Sequence, residues 1–207
     1  MRELKYIILH HSGTPATNGE SDPVGQQIYE AIKRNHHARA LAKKWGDDYV
    51  CDYHFLVGST GKVFKGQPVE RVSYHCGHYR TNLKSIGICL LGDFEKSIPP
   101  KAQVDSLINL LIELIKKYGI LIEDIKQHKQ IVRTDCAGKY FPFNRITEEI
   151  KMGLKEPTEA DKAFDLMVRL GVYKPYGDLE TYKDKLISRR ELAVLLARLI
   201  KVNFKSI

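Results

Sequence analysis

Two nearly continuous apolar runs constrain this chain more than any other feature. Leu4-Lys5-Tyr6-Ile7-Ile8-Leu9-His10 and Ile86-Gly87-Ile88-Cys89-Leu90-Leu91 lack the polar–apolar alternation of a strand with one wet face. Such runs suit strands buried on both sides, which need helices packed above and below a sheet. Helical patterns are present to supply them. From Val24 to Lys44 apolar residues recur at helical spacing (Ile28, Ala31, Ile32, Ala38, Leu41, Ala42). After Pro99-Pro100, Val104, Leu107, Ile108, Leu111, Leu114, Ile115 and Tyr118 form one stripe that Gly119 closes.

The segments between these elements read as further strands and turns. Val50 to Val57 is expected to be a strand, with Tyr53, Phe55 and Val57 on one face and Asp52, His54 and Leu56 on the other. Gly58-Ser59-Thr60-Gly61 is a turn, and Lys62 to Lys65 returns as the second arm of a hairpin. Gly77 to Lys84 reads as a polar loop, and Phe143 to Met152 as a short closing helix. Strands and helices interleave to about residue 153, which predicts an α/β sandwich around a central sheet. Glu156-Pro157 marks a boundary between a domain over 1–154 and a small helical module over 158–207. Capping boxes at Thr158–Asp161 and Ser188–Glu191 open the two helices expected in that module.

Composition narrows the function classes. An apolar share of 43% is enough for a proper core, and no apolar run approaches the ~20 residues of a membrane span. The N-terminal Met1-Arg2-Glu3-Leu4-Lys5-Tyr6 lacks a small-residue cleavage site, so synthesis in a cytosol without a signal peptide is expected. Four cysteines are too few and scattered for a disulfide framework. The net charge of +8 points to a polyanionic partner, either nucleic acid or an acidic cell-surface polymer. No helix-turn-helix or zinc-finger spacing supports nucleic acid.

The chemistry gathers in Gln127-His128-Lys129-Gln130-Ile131-Val132-Arg133-Thr134-Asp135-Cys136. An imidazole and a thiol eight residues apart suit a borderline-soft cation such as zinc. A catalytic site needs a third ligand, and His10-His11 at a strand end offers one. Alternation turns these two histidines to opposite faces, so at most one of them joins His128. A purely structural zinc is the alternative, but no fourth protein ligand stands out. His36 and His37 fall on the first helix, where partial burial competes with substrate contact.

Four blocks together resemble the zinc amidase family that includes phage lysozyme-type amidases and the peptidoglycan-recognition proteins. They are Ile7 to Ser12; Asp52 to Val57 with Gly61-Lys62-Val63; His75 through Asn82 to Ile88; and His128 through Cys136. The resemblance implies one zinc per chain, held by His10, His128 and Cys136. It implies a catalytic Tyr53, and Thr134 at the position two before the cysteine where members carry lysine or threonine. His75 and Asn82 fall in the segment that borders the substrate groove, and His36 is carried as a third substrate-binding candidate. Ala137 stands where the family commonly has proline.

The implied fold is a mixed sheet flanked by helices. The implied activity cuts the peptidoglycan amide between N-acetylmuramic acid and L-alanine, as in a phage or prophage endolysin acting at the bacterial wall. Two alternatives stay open: a recognition protein that binds peptidoglycan without cutting it, and a basic nucleic-acid-binding protein with a structural zinc. The segment Ile187-Ser188-Arg189-Arg190-Glu191, with Ala163 to Val172 upstream, resembles an S-layer homology module, which implies an anionic secondary wall polymer as partner.

Overall fold

The buried runs form the middle of one sheet. The computed structural model describes residues 2–14, 22–43 and 48–154. In chain order the elements are β1 (Tyr6–His11), α1 (Asp22–Ala42), β2 (Phe55–Val57), β3 (Val63–Lys65), α2 (Tyr79–Leu83), β4 (Ser85–Leu90), α3 (Lys101–Tyr118), β5 (Ile125–Gln127) and α4 (Phe143–Leu154). Short 3-10 turns occupy Ile122–Asp124 and His128–Gln130. The sheet runs β3-β2-β4-β1-β5. The β2–β4, β4–β1 and β1–β5 pairs are parallel and β2–β3 is antiparallel, so the sheet is mixed.

Each face of the sheet has its own cluster. On one, Ile7, Leu9, Val57, Ile86, Ile88 and Leu90 pack against the α3 stripe and Ile146 and Ile150 of α4. On the other, Leu56, Cys89 and Leu91 pack with Phe64 and with Tyr29, Ile28 and Ile32 of α1. All six residues of β4 are buried, as a strand covered on both sides requires. The α3 helix ends at Gly119, whose φ of 67° places it in the left-handed region that stops a helix without Cβ strain. Its buried Gln103 donates from Nε2 to the carbonyls of Val57 and Leu91, tying the helix to the ends of two strands.

Two expectations need correction, and one element is new. The strand predicted over Val50–Val57 is only Phe55–Val57, because the chain bends at Asp52 and His54. Two-residue alternation is lost there: Tyr53 packs with Leu56 and Cys89, while Phe55 and Val57 join the opposite face. The Gly77–Lys84 loop contains a single helical turn, α2. An edge strand, β5, lies in the segment after α3, too short for periodicity to reveal. The module expected over 158–207 falls outside the described residues.

Candidate active site

His10 lies near the carboxyl end of β1, in the middle of the sheet, where open α/β sheets commonly place ligands. Its neighbours Ile7 and Leu9 belong to one face cluster, so alternation turns His10 to the α1 side. It is 1% exposed. His128 follows β5, the strand beside β1, and opens the turn His128–Gln130. The Gln127 N–H donates to Gln130 Oε1 at 2.7 Å, which ties the two ends of that turn together and steadies the backbone carrying His128. The loop onward to Cys136 is closed by the Lys129 N–H donating to the Cys136 carbonyl at 2.7 Å.

These elements bring His10, His128 and Cys136 together. One ligand atom from each lies within 4.8 Å of the other two. The His10 and His128 ring centroids are 4.5 Å apart, and Cys136 Sγ is 3.8 Å from His10 Nδ1. His11 points elsewhere: its Nδ1 accepts from the Phe94 N–H at 3.0 Å, and the ring lies against the Phe94 ring. Its backbone N–H donates to Cys136 Sγ at 3.3 Å. The far nitrogen of each histidine also has a protein partner. His10 Nε2 is 2.9 Å from His75 Nδ1, and His128 Nε2 donates to the Cys76 carbonyl at 3.1 Å.

Burial dominates the electrostatics. It holds His10 well below the ordinary histidine range, with the neighbouring His128 adding to the effect, and it lowers His128 as well. Both rings are therefore neutral at pH 7 and carry a lone pair. Burial pushes the Cys136 thiol up to about 11, opposed by the His11 N–H and by Lys129. A cation between these groups would supply the charge that favours thiolate.

Tyr53 stands beside the cluster, its ring centroid 5.2 Å from that of His10. Burial, with Cys89 and Cys136 nearby, raises its hydroxyl well above the ordinary range, so it remains a proton-bearing donor. The Thr134 hydroxyl oxygen accepts the Cys136 N–H at 3.3 Å, which leaves its own proton free to donate. His75 and Asn82 are 7% and 3% exposed, and their side chains are engaged by protein partners rather than set at a groove surface. His36 is also occupied. Its Nδ1 accepts the Asp52 N–H at 3.0 Å and lies 3.3 Å from Cys51 Sγ, while its ring neighbours Tyr53.

The network behind Tyr53 was not legible in the sequence. Asp52 is paired with Arg39 and accepts from the Tyr49 hydroxyl at 3.0 Å, so α1 is tied to the segment that carries Tyr53. In the sequence Asp52-Tyr53-His54 reads only as alternating strand residues, with nothing to mark Arg39 or Tyr49 as partners.

Fold and cluster define an α/β protein with a candidate His–His–Cys metal centre at the strand ends. The chain belongs to the N-acetylmuramoyl-L-alanine amidase family, whose profile matches residues 1–139. Peptidoglycan-recognition protein LB of Drosophila melanogaster is 31% identical over 134 residues, covering 64% of this chain and 54% of that protein. The N-acetylmuramoyl-L-alanine amidase of Homo sapiens is 28% identical over 138 residues, covering 65% of this chain and 22% of its own length. The chain thus spans about half or less of these relatives. Among solved structures, the endolysin amidase LysCS from Clostridium intestinale superposes with a TM-score of 0.57 at 27% identity, over 74% of this chain and 86% of that one. A mutant of Drosophila PGRP-LB in complex with tracheal cytotoxin gives a TM-score of 0.59 at 28% identity, over 71% and 82%.

Proposed function

We propose that the protein is a zinc-dependent peptidoglycan hydrolase that cuts the amide between N-acetylmuramic acid and L-alanine, serving as an endolysin. The observation that carries this reading is the convergence of His10, His128 and Cys136 in a chain of the amidase family. The donor set fits zinc: two neutral imidazoles and a thiol that already receives a backbone N–H, with no fourth His, Cys, Asp or Glu joining them among the described residues. When bound, zinc supplies Lewis acidity toward a carbonyl oxygen and acidifies water. Tyr53, kept protonated by burial, donates a hydrogen bond to the oxygen that gains charge as the amide is attacked. Thr134 donates a second, neutral one from its free hydroxyl proton.

A binding-only recognition protein is the second reading, favoured by the peptidoglycan-recognition relatives. Presence of Cys136 in the ligand group supports hydrolysis over binding alone. For residues 158–207 we propose attachment to an anionic wall polymer, supported by the S-layer-like segment and by eleven Lys and Arg against eight Asp and Glu from 155 onward.

Digestion of purified peptidoglycan, followed by mass spectrometry of the new ends, tests the main reading. Released stem peptides beginning with free L-alanine are expected. Sedimentation with intact peptidoglycan without any new amino terminus would replace hydrolysis by recognition.

A further inference from the structure

We propose that the segment from His75 to Asn82 is the positioning element of the cation site, setting which nitrogen of each histidine ligand faces the metal. This rests on the zinc reading above. A neutral imidazole has one N–H and one lone pair, and a ligand is useful only if the lone pair faces the ion.

At His10, Nε2 lies 2.9 Å from His75 Nδ1, and His75 Nε2 lies 2.9 Å from Ser85 Oγ. If His10 Nε2–H donates to His75, and His75 Nε2–H donates to Ser85, both rings are satisfied. His10 Nδ1 then keeps its lone pair on the side of Cys136. The opposite tautomer would aim an N–H at the thiol. Gly87 makes room for this arrangement: a Cβ there would lie 2.5 Å from Cγ of His75, so the ring rests directly on the β4 backbone.

At His128 the partner is the Cys76 carbonyl, which can only accept. Nε2 must therefore carry the proton, leaving Nδ1 as the ligand atom. Cys76 is held in turn by Asn82, whose Oδ1 accepts the Cys76 N–H at 3.2 Å and its thiol at 3.0 Å. His75 and Asn82 thus stand behind the two histidine ligands, one directly and one through a backbone carbonyl. Both are positioning residues, and neither is exposed enough to touch a bulky substrate.

Zinc affinity of the full chain, measured by competition with a chromophoric chelator, tests this without reading activity. His75→Ala should weaken binding ~10–100-fold, and Asn82→Ala should lower it in the same direction. His75→Asn places an amide oxygen where Nδ1 stood, so it should return to within about fivefold of wild type, the cost of the lost bond to Ser85. Ser85→Ala should cost about fivefold and serves if His75→Ala does not fold. Melting of the metal-free proteins separates positioning from packing. Wild-type affinity in His75→Ala, or equal loss in His75→Asn and His75→Ala with unchanged metal-free melting, overturns the proposal. Wild-type protein that binds no zinc overturns the underlying reading instead, and the inference with it.

Discussion

Among single side chains, Cys136 and Tyr53 separate metal binding from chemistry. Cys136 contributes the sulfur of the cluster, and without it two imidazoles remain. Cys136→Ala should lose stoichiometric zinc and lytic activity together, as read by metal analysis and by turbidity of a wall suspension. Tyr53 contributes a hydroxyl that burial keeps protonated, beside the ring of His10. Tyr53→Phe should keep its zinc and lose ~10²-fold or more in kcat. The half-buried His36 and the buried His54, both outside the ligand group, contribute to the acid limit. His36 is held down at about 4 and His54 at about 3, in both cases mainly by burial. Unfolded, each titrates near 6.5, so below that pH the unfolded chain binds more protons than the folded one. Stability contributed by these neutral rings is complete above about 6.5 and is lost as pH falls toward their folded values. The slope reaches about 1.4 kcal/mol per pH unit for each histidine. Urea unfolding between pH 7 and 5 should show it, and a flat profile would refute the assignment. Partial burial of His36 on the first helix was legible in the sequence, but its contacts with Asp52 and Cys51 and the full burial of His54 were not, because those partners share no period with them.

Among the elements, the segment before β2 departs furthest from its sequence pattern. Alternation over Val50–Val57 predicts Tyr53 beside Phe55, yet Tyr53 lies with Leu56. The reason is local. The Tyr53 carbonyl accepts the Gln67 N–H, and the Gly66 backbone lies so close that a Cβ there would be 2.1 Å from the Tyr53 oxygen. The pairing of this segment is set by Gly66-Gln67, thirteen residues downstream of Tyr53, where no period reaches. Gly66→Ala should therefore shift Tyr53 and lower kcat while zinc stoichiometry holds, a combination that simple unfolding cannot produce. The long elements behave differently. The α3 stripe is legible because Leu107, Leu111 and Leu114 recur on one face and all pack into the core. Leu111 is fully buried, and Leu111→Ala should cost ~2–5 kcal/mol in a denaturation experiment.

Across the whole molecule, the layer order follows from burial of β1 and β4 on both faces. Those two strands were legible because their apolar runs are continuous. β5 was not, because three residues at a sheet edge carry no pattern, although its position beside β1 brings His128 to His10. Residues 1–154 cluster as one compact unit. A truncated protein ending at Glu156 should thus keep its melting temperature and its activity on soluble muropeptides, while losing retention on intact walls. Early melting with loss of both activities would make the C-terminal segment a structural support. One further consequence follows from the edge position of β5. Among the described residues this strand pairs only with β1, while a cation shared by His10 and His128 would join β1 to the turn that follows β5. The ion would then act as a staple between an interior strand and the segment leaving an edge strand. At an ion concentration 1,000 times the dissociation constant it would oppose opening by about 4 kcal/mol. Stripping it should accelerate amide hydrogen exchange across residues 125–136 and leave β4 as slow as before. A protein that gives up the ion in dilute surroundings would keep only the backbone ladder between β1 and β5 to hold His128 near His10.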